Sequence, residues 1–393
     1  MTKRTLLLLD VDGVLVAPSG YKQALQAALD YYAERMGQPP IGLTLDEIAY
    51  FEALGMTNEW LSGPMCLAAV LIAAGQAMPG VIRDTLDEML AAIRTSGHVV
   101  RRPDFSALAS EIIGAYPIAI HQAEPHLKIL GAKSPRLKPV LDELLGDIWP
   151  PAGPVGTIIQ QLTLGHARFE QTYGVKAVLS SESLLATLDR PNLSQAMSAR
   201  LVGRLELRNG LGAAIFTARP SLPPRGVAED DLGGLEQFNF PPEAEFAVET
   251  LGLSGAVPLI AEGRTMWLEK RLGKVRGSYI KPSPVQALAA IGAALSHDER
   301  AALLAAGALV ERGEVTGPLA ELASGETRVV VVEDSKSGMV SVQQAVDMLR
   351  GHGLNVTFEA VGVANEASKR EALSRVADRV ESSVDEALEP YLA

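Results

Sequence analysis

The most constraining stretch of this chain is Val329-Val-Val-Val-Glu333-Asp334, four β-branched residues followed at once by two acids. A run of that kind suits a strand covered on both faces. Two carboxylates cannot continue into the same apolar interior without a counter-charge, so the strand must end where chemistry or solvent can meet them. Three further runs, 4–9, 212–216 and 357–363, are also short and apolar, with a polar or small residue close behind each. Short buried strands separated by helical stretches predict an α/β fold, a parallel sheet with crossover helices. Ligands of such sheets bind beyond the C-terminal strand ends.

Between Val16 and about Leu201 the texture changes. Segments 21–36, 44–54, 61–76, 81–94, 104–115, 136–145 and 182–188 have helical apolar spacing, punctuated by Pro39–Pro40, Pro150–Pro151 and Pro154. The expectation is a large helical domain, residues 18–202, inserted into a discontinuous sheet domain, residues 1–17 and 203–393. Stretches 220–264 and 286–327 carry Pro, Gly and charges and are expected to decorate the sheet edge or the site entrance.

With 47% hydrophobic and 21% charged residues in 393, the chain can bury a sizeable core. A net charge of −12 argues against nucleic acid or an anionic membrane surface as the main partner. An anionic small molecule would need local cations to reverse that field. The single cysteine, Cys66, excludes an intrachain disulfide and reads as a packing residue, which fits a reducing cytoplasm. Asp10 and Asp12 cut the leucine run short of a signal segment, and the apolar run 65–74 is too short to span a bilayer. The expectation is a soluble protein without a membrane partner. The histidines show no metal-binding spacing, and His121 and His126 read as loop residues.

Four segments carry the chemistry. In Leu9-Asp10-Val-Asp12-Gly13, two acids leave the first strand and Gly13 permits a sharp turn. One such carboxylate can attack phosphorus while the other moves a proton, and both can share a divalent cation. Phe216-Thr217-Ala218-Arg219 ends the second strand with a hydroxyl and following N–H groups that can hold a phosphoryl oxygen. Ile280-Lys281-Pro282 fixes a lysine before a proline turn, where it can serve as a point charge. Lys270, Lys274 and Arg276 are nearby alternatives, but none of them precedes a proline. Glu333 and Asp334 end the valine strand, where a cation is the simplest compensation.

These four pieces, in this order, resemble the haloacid dehalogenase-like hydrolase superfamily, over roughly residues 1–17 and 203–393. The resemblance implies a Rossmann-like sheet domain, a mobile helical cap inserted after the first motif, and Mg²⁺-dependent phosphoryl transfer through an aspartyl-phosphate. By the same resemblance Asp10 is nucleophile and metal ligand. Asp12 is general acid/base, with its carbonyl on the metal. Thr217 and Lys281 bind the phosphoryl group, Asp334 ligates Mg²⁺, and Glu333 reaches it through a bound water. The family's further Asp just downstream is missing, and Ser335 stands as the compensating group. The long gap 286–327 is expected to hold an inserted helical pair. Asp12 favours phosphate esters over haloacids, because a carbon–halogen hydrolase has no oxygen leaving group to protonate.

Around Gly55, the stretch to Trp60 offers Thr57, Asn58 and Trp60 as candidate specificity residues, and Arg219 as an anion contact beside Thr217. Arg101 and Arg102 are weaker anion candidates. The expected activity is hydrolysis of a small phosphorylated metabolite. A phosphomutase using the same residues is the nearest alternative, and a non-catalytic binding protein on the same fold is the more distant one.

Overall fold

A computed structural model of the chain describes residues 2–116, 122–207, 209–228, 231 and 240–392. His121 and residues 229–230 and 232–239 of the 220–264 stretch lie outside the described residues. The chain divides into two compact units, Met1–Pro18 with Arg190–Ala393, and Ser19–Asp189.

The first unit is built on β1 (Thr2–Leu9), β2 (Val16–Ala17), β3 (Arg190–Pro191), β4 (Leu211–Phe216), β5 (Leu259–Ile260), β6 (Gly325–Glu333), β7 (Val356–Val363) and β8 (Arg379–Glu381). Six of these form one sheet in the order β5-β4-β1-β6-β7-β8, and every pairing is parallel. β2 and β3 make a separate antiparallel pair where the chain leaves and re-enters this unit. Leu6 is level with Gly212 on one side and Val329 on the other, so β1 lies between the two motif strands.

Alternate residues of these strands serve opposite faces. Leu6, Leu8, Phe216, Val329 and Val331 pack with helices Pro284–Ser296, Glu299–Arg312 and Lys336–Gly351. Leu7, Leu9, Ile215, Val330 and Val332 pack with helices Gln195–Glu206, Glu243–Thr250 and Val384–Leu392. The fold is therefore an α/β parallel sheet with helices on both faces and a helical unit inserted after β1. β4 and β6 flank β1 and the order reverses there, the topology whose C-terminal strand ends bind ligands in such sheets.

The boundary of the insertion differs from the sequence expectation of 18–202. It closes at Asp189, because helix Gln195–Glu206 packs on β4 and on Val384–Leu392 and so belongs to the sheet unit. The 286–327 gap does hold a helical pair, Pro284–Ser296 and Glu299–Arg312.

The inserted unit is helical throughout its described residues, centred on Glu59–Ala77, which packs against Gly20–Arg35 and Pro154–Leu164. Glu59–Ala77 is long and apolar enough to cross a membrane, yet 83% of its apolar window is buried inside the unit. Cys66 is fully buried within it. His126, expected in a loop, is instead buried in helix Ala123–Lys133.

Candidate functional site

Backbone pairing carries the first acid to the C-terminal strand ends: the Asp10 N–H donates to the Val332 carbonyl at 3.1 Å, one residue past the end of β1. The chain then turns, with the Gly13 N–H on the Val16 carbonyl at 2.8 Å. Gly13 has φ +77°, and a Cβ there would stand 1.9 Å from Asp334 Oδ2. Glycine is therefore required twice over, by the backbone and by the space that Asp334 occupies.

Lys281 reaches the same place from the other side of β4. Its N–H donates to Gln286 Oε1 at 3.1 Å, while Gln286 Nε2 donates to the carbonyls of Thr217 (2.7 Å) and Ile260 (3.1 Å). The fully buried Gln286 thus ties the lysine turn to the ends of β4 and β5. The Lys281 ammonium sits 4.4 Å from the Phe216 ring centroid. It bridges two carboxylates, at 2.8 Å from Asp10 Oδ1 and 2.5 Å from Glu333 Oε1. Burial alone would lower its pKa, but the charges of Asp10 and Glu333 outweigh that and hold it above the ordinary ammonium range.

Glu333 is fully buried, and both its oxygens are occupied. Lys281 takes Oε1, while Oε2 accepts from the N–H groups of Asp334 and Ser335 (both 3.0 Å) and from Ser335 Oγ (2.9 Å). A Cβ on Gly338 would fall 1.7 Å from Oε1, so the following helix makes room for this carboxylate. Glu333 anchors Lys281 from within the same group of acids. Ser335, expected to compensate for a missing acid, donates its hydroxyl to Glu333.

Asp10, Glu333 and Asp334 each offer one oxygen, and these atoms lie within 4.8 Å of one another. Burial pushes the Asp10 carboxyl up to about 7, helped by the Glu333 charge and opposed by Lys281. Burial and then the Asp10 charge raise Asp334 as well. Asp334 Oδ2 is met by Lys369 Nζ at 2.5 Å. All-oxygen donors and an excess of negative charge fit a hard divalent cation such as Mg²⁺. Asp10 and Asp334 would hold such a cation directly, with Glu333 beside them.

Asp12, two residues on, is held by both nitrogens of a fork, with Arg219 Nε 2.9 Å from Oδ2 and Nη2 2.5 Å from Oδ1. Arg219, expected to contact substrate anion, holds Asp12 with its buried guanidinium. Its backbone N–H is also engaged, on Thr217 Oγ1 at 3.2 Å. Thr217 is buried at the end of β4 and Ala218 is exposed beside it. The end of β4 therefore brings Arg219 to Asp12, with Thr217 two residues before it.

In the helical unit, Asn58 is the N-cap residue of Glu59–Ala77 but its side chain makes no cap bond. Trp60 stacks on Trp149 with ring centroids 6.5 Å apart and meets the edge of Tyr21 at 5.8 Å. Asn58 Oδ1 and Trp60 Nε1 are buried, and neither has a hydrogen-bond partner among the described residues. Thr57 is exposed. Arg102 is paired with Glu47 at 2.6 Å, and Arg101 is exposed.

Sequence reasoning missed Lys369 and Gln286. Gln286 could have been found as a lone amide in an otherwise apolar helix. Lys369 lies six residues past the end of β7, a strand end at which no site residue was sought.

By sequence, no family model and no curated protein matches the chain. Among solved structures, it is similar to an X-ray structure of a Northeast Structural Genomics Consortium target, at 13% identity over 99% of each chain with a TM-score of 0.60. That likeness shows the fold. A phosphatase, Tt82 from Thermococcus thioreducens, shares 13% identity over 98% of each chain with a TM-score of 0.43, too remote to carry an argument.

Proposed function

We propose that the chain is a Mg²⁺-dependent phosphate monoester hydrolase of the haloacid dehalogenase-like type, acting on a small phosphorylated metabolite. The observation that supports this reading most is the meeting of three acids and a lysine at the ends of β1 and β6, where Asp10, Glu333 and Asp334 surround one small space and Lys281 bridges two of them.

In this reading Asp10 Oδ attacks phosphorus in line, the ester P–O bond breaks, and Asp12 gives its proton to the leaving alkoxide. Asp12 then takes a proton from water, whose oxygen attacks the aspartyl-phosphate to release phosphate and free Asp10. Lys281 and Thr217 steady the phosphoryl oxygens, and Glu333 keeps Lys281 aimed. Both Asp12 oxygens are engaged by Arg219, so the fork has to slide or release before proton transfer. A bound Mg²⁺ on Asp10 and Asp334 supplies neutralisation of phosphoryl charge. Thr57, Asn58 and Trp60 of the helical unit are proposed to select the remainder of the substrate.

The test is phosphate release from a panel of phosphorylated sugars, amino-acid derivatives and nucleotides with Mg²⁺, with Asp10→Asn as control. Release from at least one small monoester, abolished in the control, is expected. Conversion to an isomer without phosphate release would establish a phosphomutase instead. Equal turnover by the control would overturn the assignment.

A further inference from the structure

The strand-end cluster contains two lysines in very different settings. Lys281 is buried, with 7% of its side chain exposed, and bridges two carboxylates. Lys369 is 40% exposed, comes from the short helix Ala367–Leu373 after β7, and touches Asp334 alone among these acids. Its Nζ lies 2.5 Å from Asp334 Oδ2, on a carboxylate only 18% exposed. Asp10, Glu333 and Asp334 against Lys281 and Lys369 leave the cluster one negative charge in excess, with Asp12 and Arg219 cancelling. Exchanging Lys369 for a divalent cation would bring it to neutrality.

We propose that Lys369 is a built-in stand-in for the divalent cation, neutralising Asp334 in the cation's absence and leaving it when the cation arrives, so that cation loading is an exchange. This inference rests on the proposed function only in taking Asp10 and Asp334 as the pair that holds the cation. A buried carboxylate stripped of its partner is costly, so an acid cluster that is periodically empty of metal needs a substitute charge. The substitute must be able to retreat, and a long flexible side chain rooted at a partly exposed helix can do so into water. Lys281 cannot, because its two partners and the Phe216 ring enclose it. The consequence is a cation affinity lower than the donor set would otherwise give, because each binding event must break the Lys369–Asp334 pair.

The experiment is calorimetric titration of Mg²⁺ and Mn²⁺ into the full chain, without substrate. Lys369→Met should bind about ten-fold more tightly than wild type, and in chelator its melting temperature should fall and then recover on adding Mg²⁺. Lys336→Met, which removes an exposed charge two residues from Asp334, controls for the general field and should change affinity less than about two-fold. Lys369→Gln carries the same expectation should the methionine variant fail to fold. Wild type binding the cation with Lys369→Met no tighter would overturn the exchange and leave the cation site standing. So would Lys336→Met matching Lys369→Met. Failure of wild type, Lys369→Met and Asp334→Asn alike to bind any cation would overturn the cation site itself, and the exchange with it.

Discussion

The strand ends of the sheet unit and the Gly55–Trp60 stretch of the helical unit treat buried polar atoms in opposite ways. At the strand ends, Asp10, Lys281, Glu333 and Arg219 are all buried and all held by one another or by neighbouring groups. In the helical unit, Asn58 Oδ1 and Trp60 Nε1 are buried with no partner among the described residues. Groups that do chemistry must be fixed before substrate arrives, since preorganised charge is what lowers a barrier. Groups that only recognise can stay incomplete, because a ligand supplies the missing half of each hydrogen bond. The difference is between a finished site and an open one; away from the strand-end site the sheet unit also holds buried atoms without a hydrogen-bond partner among the described residues, Arg204 Nε, Trp267 Nε1 and Thr327 Oγ1.

The largest effect belongs to the finished site. Asp10→Asn is isosteric and leaves Lys281 its bond to Glu333, so the fold should persist while turnover drops roughly 10⁴-fold or more. Circular dichroism alongside phosphate release checks both parts. An unfolded variant would mean that Asp10 is structural first.

Next comes the contrast between the two lysines. Lys281→Met strands two buried carboxylates and should destabilise the chain by about 3–5 kcal/mol. Lys369→Met in chelator should cost on the order of 1 kcal/mol, since its pair is partly exposed. Urea unfolding of both variants at one pH gives the comparison. Equal losses would erase the difference between a fixed and an exchangeable charge.

How much of this was visible in the sequence follows from the same distinction. The long strands declared themselves because their apolar runs end abruptly, as at Val332–Glu333. β5, Leu259–Ile260, is two residues long and gives no periodic signal. Pro154 reads as a helix stop, yet it is the first residue of Pro154–Leu164, where a missing N–H costs nothing. Helix Gln195–Glu206 falls outside the segments read as helical, and the expected boundary at 202 cuts through it, because local spacing does not say which core a helix joins. In the site, the acids were legible because carboxylates after apolar strands are conspicuous. The pairings were not, since Arg219 with Asp12, and Lys369 with Asp334, join residues far apart in sequence whose partners only the folded sheet selects.

A smaller effect follows from Asp10 in chelator. Its carboxyl is raised to about 7 in the folded chain, against 3.8 ordinarily, so folding favours the neutral form. The associated stability is complete below about pH 4 and disappears as pH rises through about 7. Asp334, also raised, acts in the same direction. Metal-free wild type should therefore lose on the order of 2 kcal/mol more than Asp10→Asn between pH 5 and 7. Saturating Mg²⁺ should abolish the difference. Parallel pH profiles for the two proteins in chelator would show that burial of Asp10 carries no such cost.

The smallest effect tests the open site. Trp60→Phe removes the indole N–H but keeps an aromatic ring against Trp149 and Tyr21. A buried donor with no partner is already a cost to the fold, so its deletion should leave the melting temperature unchanged or slightly raised. If that donor is reserved for substrate, KM should rise about five-fold with little change in kcat, as loss of one hydrogen bond worth about 1 kcal/mol requires. A lowered melting temperature with unchanged KM would reverse the interpretation. It would make Trp60 a packing residue whose indole matters for its bulk, and the Gly55–Trp60 stretch would be as finished as the strand ends.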